Sequence, residues 1–213
     1  MLPLPISLRR LKASSGSRCP AQIGENAVVK AGSDLNVKAN VDNITVNEAG
    51  AVSVNGKTGG GGAIVTDVIV NDAIASIGSN ASVDAKRNML LDANQDYVVV
   101  QAGVGAAVAK SKSGAGTVGV LVQTNNTKSL IGEGAKINQT YKDDKADENQ
   151  TVSLNAKNKN VIVKGLGALG IETGGQGASG KAVGGTVDTN VIVNNATAEI
   201  QGTAANKAVV NAG

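Results

Sequence analysis

Histidine, tryptophan and phenylalanine are absent from this 213-residue chain, tyrosine occurs twice and cysteine once. With no imidazole and a single thiol, neither a His/Cys metal site nor a His-based catalytic triad can be assembled. One Cys, at position 19, closes no internal disulfide, so stability has to come from stacking and hydrogen bonding, and the redox compartment stays open. No apolar run reaches the ~18 residues of a transmembrane helix. Aromatics make up 1% of the chain, which leaves Val, Ile, Leu and Ala to fill any core. That is thin filling for a globule but enough for a solenoid, whose coils each bury a narrow apolar strip. The same scarcity removes the aromatic girdles that a lipid-facing barrel needs.

The formal charge of +3 suggests a basic protein, but the excess is local. Residues 1–20 hold Arg9, Arg10, Lys12 and Arg18 with no acid, leaving 16 basic and 17 acidic groups in the other 193 residues. A near-neutral body gives polyanions no foothold, so nucleic acid is not expected as a partner. The first 20 residues also contain all three prolines and three of the four arginines. Their apolar stretch precedes the charge and is broken by Pro3 and Pro5, the wrong order for a secretory signal. We read residues 1–20 as a leader outside the main body, disordered or not native.

What is abundant is self-similarity. QIGENAVV at 22–29 returns as SIGSNASV at 76–83 and LIGEGAKI at 130–137, which puts Ile23, Ile77 and Ile131 at spacings of 54, with a fainter copy at Ile200. DLNVKANVDNITV at 34–46 matches NMLLDANQDYVVV at 88–100 and TVSLNAKNKNVIV at 151–163. The units run 21–74, 75–128 and 129–197, with a partial one at 198–213. The third carries about nine extra residues around the charge run at 142–148 and six more in ETGGQGASG, both read as loops. Asp143 and Asp144, flanked by Lys142 and Lys145, read as part of a mixed-charge loop rather than an acid/base pair.

Apolar residues pair at i, i+2 throughout, as in Val37 and Ala39, Ile44 and Val46, or Leu91 and Ala93, and the period of two means strands. Short strands in exact repetition favour a parallel β-helix over a sandwich, and two or three coils per 54-residue unit are expected from ordinary solenoid repeats. Three structural sets follow. Asn71, Asn125 and Asn194 fall in register at the end of the longest apolar strand, as a turn or ladder set, with a sugar-binding edge as the alternative. Gly24, Gly78 and Gly132 read as turn glycines, and the run at 59–62 as a flexible corner. No GGxGxD calcium repeat and no Thr-x-Thr ranks occur; no catalytic residue, metal ligand or cofactor is expected, and Arg87 is the one arginine of the array that an enzymatic cleft could use.

The string GAGTVGVLVQTNNTKSLIGEGAKI at 114–137, followed by VSLNAKNKNVIV, resembles the repeats of large secreted bacterial adhesins, the fusobacterial leukotoxin-type filamentous adhesins and filamentous haemagglutinin-like autotransporter passengers. The resemblance covers residues 21–213. It implies an all-β, right-handed parallel β-helix displayed outside the cell by type V secretion, at the bacterial surface or released. As partners it implies a host-cell or extracellular-matrix surface and an outer-membrane secretion barrel supplied by other parts of the protein or by a partner, with no membrane insertion of this segment. The expected role is a non-catalytic adhesive stalk. The alternatives are a carbohydrate-binding or polysaccharide-cleaving β-helix, or a segment of a leukotoxin-like toxin.

Overall fold

Alternation that never breaks into a helical period, with β-branched residues at one parity and Asn, Gly, Ala or Thr at the other, keeps the backbone extended over long stretches. The computed structural model describes residues 16–55, 58–140, 149–174 and 180–212. Its strands are β1 (Arg18–Ile23), β2 (Val28–Ala31), β3 (Leu35–Asn55), β4 (Thr58–Ile77), β5 (Ser82–Ala85), β6 (Met89–Ala109), β7 (Lys112–Ile131), β8 (Lys136–Ile137), β9 (Val152–Glu172), β10 (Lys181–Ile200) and β11 (Val209–Val210). The long ones have 20 or 21 residues, about 70 Å at ~3.3 Å per residue.

Three sheets result, all parallel. Sheet I is ordered β3-β6-β9, sheet II β1-β4-β7-β10, and the short sheet III β11-β8-β5-β2. Leu35 pairs with Met89, Thr58 with Lys112 and Val28 with Ser82, so each strand lies on its own copy one unit away. The chain is a parallel β-helix. Ile23, Ile77, Ile131 and Ile200 stack as one column. One unit makes one coil, which corrects the expectation of two or three. The short strands that expectation rested on are segments of single long ones.

Register also places the insertions. The spacing between stacked partners grows from 54 to 63 between β6 and β9 and to 69 between β7 and β10, so both insertions fall between strands. The charge run at 142–148, with Asp143 and Asp144, lies outside the described residues. At the other end, Arg18, Cys19 and Pro20 belong to β1 and pair with Asp72, Ala73 and Ile74. This corrects the array boundary: Cys19 is buried in the core rather than lying in a leader, because its neighbours continue the ladder of β4.

Where sheet III closes the coil, the section is wide and its interior conventional. Leu35, Val37, Ile77, Met89, Leu91 and Ile131 fill it, all essentially inaccessible, and full burial of such a side chain is worth about 1.5–3 kcal/mol. We call this region the head. Farther along, sheets I and II face each other directly and run to the strand ends at Asn55 and Ala109. We call the middle of this two-layer part the waist and its end the wing.

Candidate functional site

The waist is lined by amides. Asn71, Asn125 and Asn194 sit inside β4, β7 and β10, six residues before the strand ends, and point inward rather than marking a bend. Asn71 Nδ2 donates to Asn125 Oδ1 at 3.0 Å and Asn125 Nδ2 to Asn194 Oδ1 at 2.7 Å, while Ser17 N–H donates to Asn71 Oδ1 at 3.0 Å. Gln95 and Gln123 add donors to the same Asn125 oxygen at 2.7 and 3.2 Å. Stacking of identical coils makes this line of amides. Each amide is both donor and acceptor, so it can repeat along the axis without leaving a group unpaired.

The left-handed backbone falls elsewhere, at Asn26, Asn80 and Asn138 with φ of 55, 56 and 56°. Asn26 and Asn80 each stand two residues after the joint glycine, and Gly134 takes the equivalent place at φ 69°. The sequence signal for this position is the Asn of IGEN and SIGSN. Gly24, Gly78 and Gly132 do occupy the joints, but not with positive φ. A Cβ on Gly78 would lie 2.6 Å from Glu25 N, and one on Gly132 2.7 Å from Ser79 N, so close stacking of one joint on the next is what requires glycine. The run at 59–62 is likewise no corner: it lies within β4, where a Cβ on Gly61 would meet the Ala106 carbonyl oxygen.

Buried polar chemistry concentrates in the waist. Asp67 is buried and accepts from Asn47 Nδ2 and Gln101 Nε2. Tyr97 is buried against Ile69, Val99 and Leu121, with its hydroxyl 2.5 Å from Thr45 Oγ1. Burial pushes its phenol above the ordinary range, the Thr45 bond pulls it back in part, and the Asp67 charge pushes it further up. Asn43 Nδ2, Gln101 Oε1 and Asn160 Oδ1 are buried there without a hydrogen-bond partner. Across the last coil Lys164 Nζ meets Asp188 Oδ1 at 2.8 Å, and this bond holds the Asp188 carboxyl below the usual carboxylate range. Arg87 is exposed and faces Asp34 at 3.7 Å, on the outside of the coil rather than in a cleft.

Among the described residues no group of three or more His, Cys, Asp or Glu side chains could hold a metal ion. A cavity of about 430 Å³ at the joint of the last coil is lined by Gln201, Thr203 and Lys207 among others, and Lys207 is its one charged lining residue. Nothing there pairs an acid with a base.

The outer faces carry the more distinctive chemistry. In the head they are polar and charged, with Lys38, Asp92, Asp96 and Lys159 on sheet I. In the wing they turn apolar, and Ile64 and Val68 of sheet II are each 70% exposed. Beneath them the two sheets touch through their backbones. A Cβ at Gly184 would fall 2.6 Å from the Ala168 carbonyl oxygen, and at Gly105 still closer to that of Gly116. No family model matches the chain, nor does any curated protein or solved structure.

Proposed function

We propose that this chain is a structural and adhesive segment of a secreted bacterial surface adhesin, whose work is contact rather than catalysis. The observation that supports it best is the conversion of each sequence unit into one complete coil, held to its neighbours by continuous ladders and by the amide line through Asn71, Asn125 and Asn194. A unit of 54 residues adds only ~4.8 Å of rise and yet spreads along strands of 20 or 21 residues. Such a segment supplies breadth more than reach. Its function as an adhesin therefore rests on wide outer faces and on the insertion loops, displayed outside the cell through an outer-membrane secretion barrel. The polar face of the head, where Asp96 and Lys159 stack in one row, is the surface for a host-cell or matrix partner.

The purified chain is to be tested for retention on immobilised extracellular matrix and cultured cells, with a polysaccharide-cleavage assay in parallel. Saturable retention that falls in the charge-reversed pair Asp96→Lys and Lys159→Glu is expected, with no turnover. Polysaccharide cleavage abolished by Asp67→Asn, or absence of retention on every surface tried, overturns the reading.

A further inference from the structure

Sheet II of the wing presents a face of unusual uniformity. Outward positions 60–70 of β4, 114–124 of β7 and 183–193 of β10 stack row on row: Ile64 on Val118 on Val187, Val68 on Val122 on Val191. Every one of the eighteen is Gly, Val, Ile or Thr, and none is charged. On the same sheet in the head, Asp72, Lys128 and Glu199 point outward. We propose that this wing face is the interface between two copies of the chain, packed sheet against sheet about a two-fold axis. The proposal does not depend on the adhesin reading.

Three observations select a second copy as the occupant. A two-fold interface sets a surface against itself, so any charge near its centre meets a like charge; this face has none, whereas the outer face of sheet I carries Glu48 among its valines. Rows of like β-branched side chains on parallel, in-register strands are the condition under which paired sheets interdigitate and exclude water. The area also suffices. Three strands ~4.8 Å apart over 11 residues of ~3.3 Å give about 500 Å² per copy, hence about 1,000 Å² in total, where specific interfaces begin.

A lipid bilayer would also favour an apolar face, but the backbone excludes it. Among the described residues, β1 covers β4 at Asp72–Ile77 and no strand pairs with the rest of that edge of β4 or with the outer side of β10. Backbone N–H and C=O groups along such edges find no partner in hydrocarbon, whereas in a dimer of facing sheets they remain in water.

The experiment is sedimentation equilibrium of the whole chain at increasing concentration, with variants Val68→Lys, Thr66→Lys and Ile44→Lys. The native chain and Ile44→Lys, which alters the other face, are expected to sediment at twice the 21.1 kDa chain mass, and both sheet II variants at the single mass. Thr66 is exposed and already polar, so it decides the matter should Val68→Lys lose its strand signal in circular dichroism. A native chain that stays monomeric at about 100 μM overturns the proposal. So does association that survives both sheet II lysines, which assigns it to the open strand edges, and so does a monomer that floats with phosphatidylcholine vesicles, which assigns the face to lipid.

Discussion

Between Val41 and Ile44 a single strand reverses what it buries. In the head half of β3 the inward residues are Leu35, Val37, Ala39 and Val41, and Asn36 and Lys38 face water; in the wing half Ala49 and Ala51 face inward while Val52 and Val54 are 74 and 72% exposed. β6 and β9 make the change farther along, past the inward Tyr97, Val99 and Ile162, where Val104 and Leu169 are 53 and 54% exposed. The two regions share strands, hydrogen-bond ladders and stacking, and differ in one thing, the third sheet. Where β2, β5, β8 and β11 wedge sheets I and II apart, large aliphatic side chains are needed to fill the gap. Where nothing wedges them, the sheets close until backbone meets backbone, far inside the usual ~10 Å separation. Past the waist cluster of Ile69, Tyr97, Val99 and Leu121, mostly Gly, Ala and small polar residues then fit between, with Val65 and Leu166 as the large exceptions, and the other large residues are driven outward. The width of the interior sets the hydrophobic pattern, not the reverse.

The boundary between these regimes is the amide line, and breaking it should have the largest effect. In Asn125→Leu the side-chain amides of Asn71, Gln95 and Gln123 lose their shared acceptor and Asn194 Oδ1 loses its donor. At about 1–3 kcal/mol for each buried group left unpaired, and allowing for non-additivity among neighbours, a loss of about 3 kcal/mol or more is expected. Urea unfolding reads it as a lower midpoint at unchanged slope. A change below about 0.5 kcal/mol, the range of ordinary surface substitutions, would mean that the line is ornament and that head and wing are held together by their ladders alone.

The opposite packing rules themselves are tested by a pair of substitutions in β6. Leu91→Ala empties the head core and is expected to cost about 2–5 kcal/mol. Gly105→Val leaves no cavity and still should cost about 1–3 kcal/mol by overpacking, because its Cβ would enter the Gly116 carbonyl. The neighbouring Val104→Ala, on the exposed side of the same strand, should stay within about 0.5 kcal/mol. Thermal unfolding of the three sorts them. A tolerated Gly105→Val would show that the wing sheets can part, and the contrast with the head would dissolve.

Much of this was legible in the chain. The 54-residue spacing gives the stacking repeat, the IG signature gives the isoleucine column, and the surplus residues of the third unit fall between strands, as the alignment of the units predicts. The number of coils per unit was not legible, because a reversal of parity looks the same as a turn between two short strands: Val37, Ala39, Ile44 and Val46 read as two apolar pairs whether or not they face the same way. Telling the two apart requires the interior width, which depends on a third sheet whose strands have four residues or only two. The Asn set was found by register, but its place could not be. Asn serves bends and amide ladders alike, and only the partner one coil away separates them. Arg18 and Cys19 share the composition of the leader, yet the ladder they join is made by backbone groups that any residue supplies.

The smallest effect expected concerns the waist alone. Tyr97 is packed against sheet II by Ile69 and Leu121 and bonded to Thr45 on the neighbouring coil. Burial raises its pKa above 10.0, so the folded state binds the phenolic proton more tightly than the unfolded state does. The stability tied to that proton is intact below the unfolded pKa of ~10 and declines as pH rises through the folded value. Tyr97→Phe removes the ionisation along with the Thr45 hydrogen bond, at about 0.5–1.5 kcal/mol near neutral pH. Above pH ~10 the native chain should lose this advantage, and the two denaturation curves should converge as alkaline pH increases. Lysine titration in the same range is common to both proteins and cancels in the comparison. Curves that stay parallel from neutral to alkaline pH would place the phenol in contact with water, and a hydrated Tyr97 is incompatible with two sheets closed over the waist.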